Sequence, residues 1–515
     1  MAEKDDGEII EHHVCEEMEK KTNRNLDSHS FLESVTPSEK EGSSSTQSSH
    51  RLLAYSDALI SIIATVMILP VSHTQIEPDK ELQESLQRVL AAKIAVYLTT
   101  FLIVTVAWSA HVRLFQVIER IDDFLALLNL ACMMLITFLP YTFSLMVTFQ
   151  QDSFGILLFC CCAIVIGLIQ AVIVVYGFDQ PHLLNGQIQI SENQTFYKYH
   201  ILKIILRVPV FCFLAGIFSF IYSPLSYVFL GVVIFLPYIT HPLKWCWAKA
   251  VGHQEEQPNG MMFYSYHPNE PLSKERIESF SDGVYAIVAT LLILDICEDN
   301  VPDPSKVREE FEGNLIAALS VYGPEFLAYF GSFVTVGLLW FVHHSLFLHI
   351  TKTTRLMGLL NTFSLAFIGG LPLAYQLTHE FPKNSLNELE AIQISCVIIF
   401  FAGIFQLAIW VTALFNEKET LHVYVRYGGK EHAFMFAKLA IYPCVTLTTF
   451  FLTCILRRFS AQIFHLMEII VPFAFLALRI VVRVVLALLK LVFCPSKSVH
   501  NADDDTRLPF NSVLS

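Results

Sequence analysis

Apolar runs long enough to cross a bilayer follow one another along this chain, separated by short polar stretches. The first, Arg51 to Pro70 (RLLAYSDALISIIATVMILP), is apolar except near its front end, where Arg51, Ser56 and Asp57 stand. Further runs cover 92–114, 124–147, 154–176, 200–222 and 225–244, each near the length of about 20 residues that a spanning helix requires. Trp245 and Trp247 follow the sixth, where amphipathic rings suit a membrane interface. A polar stretch over 248–273 then reads as a linker.

The pattern repeats beyond it. Arg276 opens RIESFSDGVYAIVATLLILD, and Arg51 to Asp57 and Arg276 to Asp282 share the form R-x-x-x-[FY]-S-D. Trp108-x-x-His111 recurs as Trp340-x-x-His343, and Leu127-Leu128-Asn129 with Pro140 recurs as Leu359-Leu360-Asn361 with Pro372. The offset holds from Trp108 to Pro140 and is about seven residues shorter at Asp57, which places the extra residues in the loop CEDNVPDPSKVREEFEGN. The expected fold is an all-α polytopic membrane protein of twelve transmembrane helices in two six-helix repeats, 51–247 and 274–492. Six is even, so the repeats run parallel.

Composition agrees: 54% of residues are hydrophobic and only 16% charged. The net charge of −13 misleads, because much of it lies in the acidic, Ser-rich leader 1–50, which has no apolar core and reads as a disordered tail rather than a signal peptide. Residues 493–515 read as a second tail. Nothing suggests nucleic acid. Lys and Arg gather in the even-numbered connections and acids in the odd ones, so both termini are expected in the cytosol, leaving the Asn193 sequon unmodified. Most of the twelve cysteines, Cys160 to Cys162 among them, sit in apolar runs and read as small buried hydrophobes. No metal or cofactor is expected.

Candidate chemistry centres on the doubled first helix. A charge inside hydrocarbon persists where it is paired or lines a watery path, and here the same charges occur twice. Arg51, Ser56 and Asp57 are expected to meet Trp108, His111 and Asn129. Ser281, Asp282 and Arg276 should meet Trp340, His343 and Asn361. The histidines read either as structural hydrogen-bonders or as proton sensors, since imidazole titrates near neutrality. Helical spacing puts Ala58, Ile62, Thr65 and Leu69 on one face, and Gly283, Ile287, Thr290 and Leu294 on the matching one. That face is either ordinary packing or the wall of a pore in which a ring of isoleucines gates by dewetting. No TVGYG filter, voltage-sensor arginine ladder, zincin spacing or G-x-S-x-G occurs, which disfavours an enzyme. A secondary transporter with six-helix halves stays open as an alternative.

With both R-x-x-x-[FY]-S-D helices and both W-x-x-H elements, residues 51 to about 490 resemble the transmembrane protein 175 family of endosomal and lysosomal potassium channels. Tyr55 stands where that family usually has Phe. The resemblance implies a homodimer whose four first-type helices surround a potassium-permeable pore in the endosome or lysosome membrane. It implies an isoleucine gate at Ile62 and Ile287 and a threonine layer at Thr65 and Thr290. It further implies proton conduction under an acidic lumen and association with the kinase Akt.

Overall fold

The computed structural model describes residues 47–69, 83–149, 152–189, 194–222, 225–232, 272–299, 301–321, 323–380, 386–426 and 429–493. Most of the leader, the loop after the first helix, the end of the sixth apolar run, the 248–271 stretch, Asn193 and the C-terminal tail lie outside them. The described chain is almost wholly helical, because in hydrocarbon each backbone N–H and C=O must be satisfied within its own segment. The main helices of the first half are α1 (His50–Val66), α2 (Gln83–Phe115), α3 (Asp123–Thr148), α4 (Ser153–Asp179), α5 (Gln194–Ile205) and α6 (Arg207–Ser219). Those of the second are α7 (Lys274–Asp299), α8 (Gly323–His349), α9 (Arg355–Ile368), α10 (Leu371–Glu380), α11 (Leu386–Phe415), α12 (Gly429–Ile455) and α13 (Ser460–Phe493).

Among the described residues, nine helical segments are long and apolar enough to cross a membrane. Their outer faces carry many exposed large apolar side chains, including Met134 and Phe451. Water would penalise such a surface; lipid does not.

Local contacts recur between the halves. Asp122 caps α3 by accepting from Leu125 N at 2.9 Å, and Thr354 caps α9 by accepting from Met357 N at 3.2 Å. Glycine meets proline where the fourth and fifth apolar runs of each half cross. A Cβ on Gly167 would lie 2.2 Å from Pro209, and one on Gly403 would lie 2.9 Å from Pro443. Small residues at such crossings let backbones approach closely. The stretch before each first helix also docks on the corner between the second and third helices. Strand β1 (Gln47–Ser48) pairs antiparallel with β2 (Arg120–Ile121), and the Thr353 hydroxyl donates to Leu272 O at 2.8 Å.

The third apolar run differs between halves. α3 continues through Pro140, whereas its counterpart breaks at Gly369–Gly370 into α9 and α10. Proline removes a helical donor in both, but two adjacent glycines withdraw the side-chain support that Thr137 and Phe138 supply in the first half. The gap admits Tyr97 of α2, whose hydroxyl donates to Ala366 O at 3.1 Å. A Cβ on Gly369 would lie 2.2 Å from that hydroxyl but 3.5 Å from the ring carbon bearing it. Gly369→Ala should therefore cost about 1–3 kcal/mol through overpacking. Adding Tyr97→Phe should recover most of that loss, measured as the melting temperature in mild detergent.

Candidate functional site

α1 packs along α7, and the polar heads of both helices are held by their neighbours. In the first half the Ser56 hydroxyl donates to Leu52 O at 2.9 Å and accepts from Asn129 Nδ2 at 3.1 Å. Asn129 Oδ1 and His111 Nε2 lie 2.8 Å apart. The second half reproduces this relay: Ser281 donates to Ile277 O at 2.7 Å, Asn361 Nδ2 reaches Ser281 at 3.0 Å, and His343 Nε2 lies 2.9 Å from Asn361 Oδ1. The spacing in sequence explains the match. Serine sits on the first helix, histidine on the second and asparagine on the third, so one chain of bonds fixes three helices.

The aspartates are braced by the tryptophans. Trp108 Nε1 donates to Asp57 Oδ1 at 2.8 Å, and Trp340 Nε1 donates to Asp282 Oδ1 at the same distance. Here the halves part company. Arg276 of α7 crosses to α1 and binds Asp57 Oδ1 at 2.7 Å, in a pair whose carboxylate side chain is 1% exposed. Phe280 of α7 stacks on Trp108 with ring centroids 4.3 Å apart. Arg51, Asp282 and Tyr55 are exposed instead, and Trp340 is 39% exposed. The structure thus draws Ser56, Asp57, Trp108, His111, Asn129 and Arg276 into one buried network. Ser281, Asp282, Trp340, His343 and Asn361 form a second network that opens to the surface, and Arg51 stands apart from both.

The stripe residues are equally uneven. Ile62 and Leu294 are 40% and 45% exposed, and Thr290 is exposed. Ile287 and Leu69 are partly buried, while Thr65 is fully enclosed. Both threonine hydroxyls turn back on their own helix, Thr65 to Ser61 O and Ile62 O and Thr290 to Ile287 O. Just past Thr65 the chain tightens, Ile68 N bonding to Thr65 O, whereas α7 runs on to Asp299. Gly283 lies so close to Ser61 that a Cβ there would sit 2.3 Å from the serine hydroxyl.

Among the interior polar groups outside the motif and outside the sequence reading, Gln406 and Lys438 stand out. Gln406 of α11 donates to the Tyr285 hydroxyl at 2.7 Å. Lys438 of α12, nearly buried, donates to Ser345 at 2.5 Å and lies 3.8 Å from the Phe341 ring centroid. An isolated charge within an apolar run was the available signal for Lys438.

A helical membrane protein built on two like helices, each with a braced carboxylate at its head and an apolar stripe beyond, has the make-up of a channel subunit. The model of the family described as endosomal/lysosomal potassium channel TMEM175 matches residues 51–140 and 276–372, two stretches that begin at the motif arginines. A Danio rerio protein named endosomal/lysosomal proton channel TMEM175 is 71% identical over 519 residues, covering 100% of each chain. The Homo sapiens protein of that name is 61% identical, over 87% of this chain and 88% of its own. A potassium channel of Streptomyces collinus is 34% identical over 136 residues, 26% of this chain and 62% of that one. A solved structure of a lysosomal potassium-selective channel TMEM175 homologue from Chamaesiphon minutus shares 24% identity and a TM-score of 0.32, covering 39% of this chain and 96% of that one. The chain belongs to the TMEM175 family.

Because Asp57 is enclosed, removing its partner strands a charge. Arg276→Ala and Asp57→Ala should each cost about 3–5 kcal/mol and lower the yield of monodisperse protein on fluorescence-detected gel filtration. Arg51→Ala, at an exposed position of the single chain, should leave the subunit's own fold intact.

Proposed function

We propose that the protein is a potassium-permeable channel of the endosome and lysosome membrane that also passes protons when the lumen is acidic, helping to set organelle membrane potential and luminal pH. The observation that carries this reading is the pairing of α1 with α7. Two helices bearing one motif lie side by side, locked by Arg276–Asp57, with Ile62 turned outward. In this reading twelve spans form two parallel six-helix repeats with both termini cytosolic, and α1 and α7 line the pore. Association with the kinase Akt has only the family resemblance behind it.

The pore needs a second copy of the chain. Within one chain Arg276 reaches Asp57 and Phe280 covers Trp108. The equivalent groups Arg51 and Tyr55, and their targets Asp282 and Trp340, all lie at the surface. A two-fold operation brings the Arg51 of each subunit to the Asp282 of the other, so four first-type helices close a ring with the same contact at each seam. The helix crossing can recur too, since Ala58 and Ala286 are the counterparts of Gly283 and Ser61. Arg51→Asp should abolish the dimer seen by native mass spectrometry, and the double reversal Arg51→Asp/Asp282→Arg should restore it. A dimer indifferent to Arg51→Asp would refute this seam.

Four isoleucines, Ile62 and Ile287 from each subunit, form the gate. They offer no oxygen to replace hydration water, so the closed ring excludes ions by dewetting. Thr290 and Leu294, both exposed, continue the wall together with the partly buried Leu69, while Thr65, enclosed within its own chain, stands behind it; selectivity is softer than in a carbonyl filter. Replacing both isoleucines with Asn should give larger current and weaker discrimination between potassium and sodium in bi-ionic recordings from enlarged endolysosomes. Conduction like that of the wild type would put the constriction elsewhere.

A further inference from the structure

The last described helix outruns the membrane that it crosses. α13 has 34 residues, about 51 Å at 1.5 Å per residue, against a hydrocarbon thickness of about 30 Å. Even tilted by about 40°, the upper end of the usual range, it would span about 39 Å. The exposed Arg457 and Arg458 place its start at one interface, where guanidinium groups find headgroups and water. About one hydrocarbon thickness further on stands Arg479. Counting back from Pro472 to Pro237, its counterpart is Lys244, the cation that closes the sixth run, after which the first half turns polar (AKAVGHQEEQPNG). The second half instead stays apolar and helical to Phe493 (IVVRVVLALLKLVF).

The interior of the subunit does not hold this extension. The buried side chains of α13 end at Val471, and no described side chain beyond it on that helix is buried. Yet the extension is two-sided. At about 100° per residue, Arg479, Arg483 and Lys490 fall within about 40° of one another, whereas Val481, Val484, Val485 and Leu488 fall on the opposite side. Arg483 and all four of those apolar residues are exposed. No Asp or Glu follows Glu468 in α13, so nothing on the helix itself balances the basic stripe. Water would penalise the apolar side, and a second copy would bring a like-charged stripe with it. A bilayer surface with anionic headgroups satisfies both sides at once.

We infer that residues 479–493 form a docking surface for anionic phospholipids of the cytosolic leaflet, with the apolar side resting on acyl chains and Arg479, Arg483 and Lys490 binding phosphate-bearing headgroups. The choice of leaflet rests on the topology proposed above, which brings the end of α13 out on the cytosolic side. The attraction acts within a Debye length of the surface and adds up over the three cations. α13 packs on α8, α11 and α12, so lipid held at its end braces the outer side of the second half.

The test is native mass spectrometry of the full-length protein, released from vesicles of phosphatidylcholine alone or of phosphatidylcholine with phosphatidylserine. The wild type should retain phosphatidylserine in preference to phosphatidylcholine. Arg479→Gln/Arg483→Gln/Lys490→Gln should lower that preference about a hundredfold, and Lys490→Gln alone, in the last turn of the helix, about fivefold. Arg457→Gln/Arg458→Gln, at the other end of α13, should leave it as in the wild type. A wild type without the preference, a stripe variant that keeps it in full, or an equal loss in the Arg457/Arg458 variant overturns the inference. Loss of the dimer with lipid retained would seat a second copy on the stripe and overturns it too. So does a preference that emerges only when residues 501–515, with their aspartates Asp503 to Asp505, are removed. Retention in solution is blind to sidedness, so a C-terminal tag protected from protease added to intact endolysosomes overturns the proposed topology instead.

Discussion

The salt bridge between Arg276 and Asp57 is the contact on which the arrangement of the two halves depends. It joins residues far apart in sequence, in a place where neither charge can be left alone. Around it Trp108 supplies a second donor, Phe280 covers the indole, and the Ser56–Asn129–His111 relay ties the same helix to two more. Each of these bonds is modest. Together they fix the angle and register at which α1 meets α7, and so decide which faces of the two helices remain outward.

Much of this was legible beforehand because its costs are visible in sequence. A serine and an aspartate in a spanning helix, with a histidine and tryptophan one helix on and an asparagine two helices on, have few ways to satisfy each other. Twice-written spacing narrowed them to one. The crossing of Arg276 to the other half was not legible. R-x-x-x-[FY]-S-D reads alike in both places, and only the packing of α1 on α7 decides that one arginine turns inward and the other outward. The break at Gly369–Gly370 was hidden for a different reason: glycines within an apolar run leave its hydropathy unchanged. The β1–β2 pairing was hidden too, since two residues of backbone pairing leave no periodicity.

The halves have also drifted in ways that packing exposes. Gln406 and Gln170 occupy corresponding places three residues after the glycines that meet proline, yet only Gln406 finds a tyrosine hydroxyl. The counterpart of Tyr285 is Ile60, and the buried Gln170 Nε2 has no hydrogen-bond partner among the described residues. A donor left in this state destabilises its surroundings, since it loses water without gaining a replacement.

The docking of each first helix at its entry has a mechanical meaning. β1 pairs with β2 ahead of α1, and Leu272 is pinned by Thr353 ahead of α7. Within a turn or two of those anchors come the serine relays and the braced aspartates. Past Thr65 the chain goes over to a tighter, apolar turn in which Met67 and Ile68 are fully buried. A rod pinned at one end by directional bonds and held beyond it mainly by apolar packing pivots about the pinned end. Any rotation of α1 or α7 against its neighbours then turns about the end that carries the charges, so that the motif acts as a fulcrum rather than as a moving part.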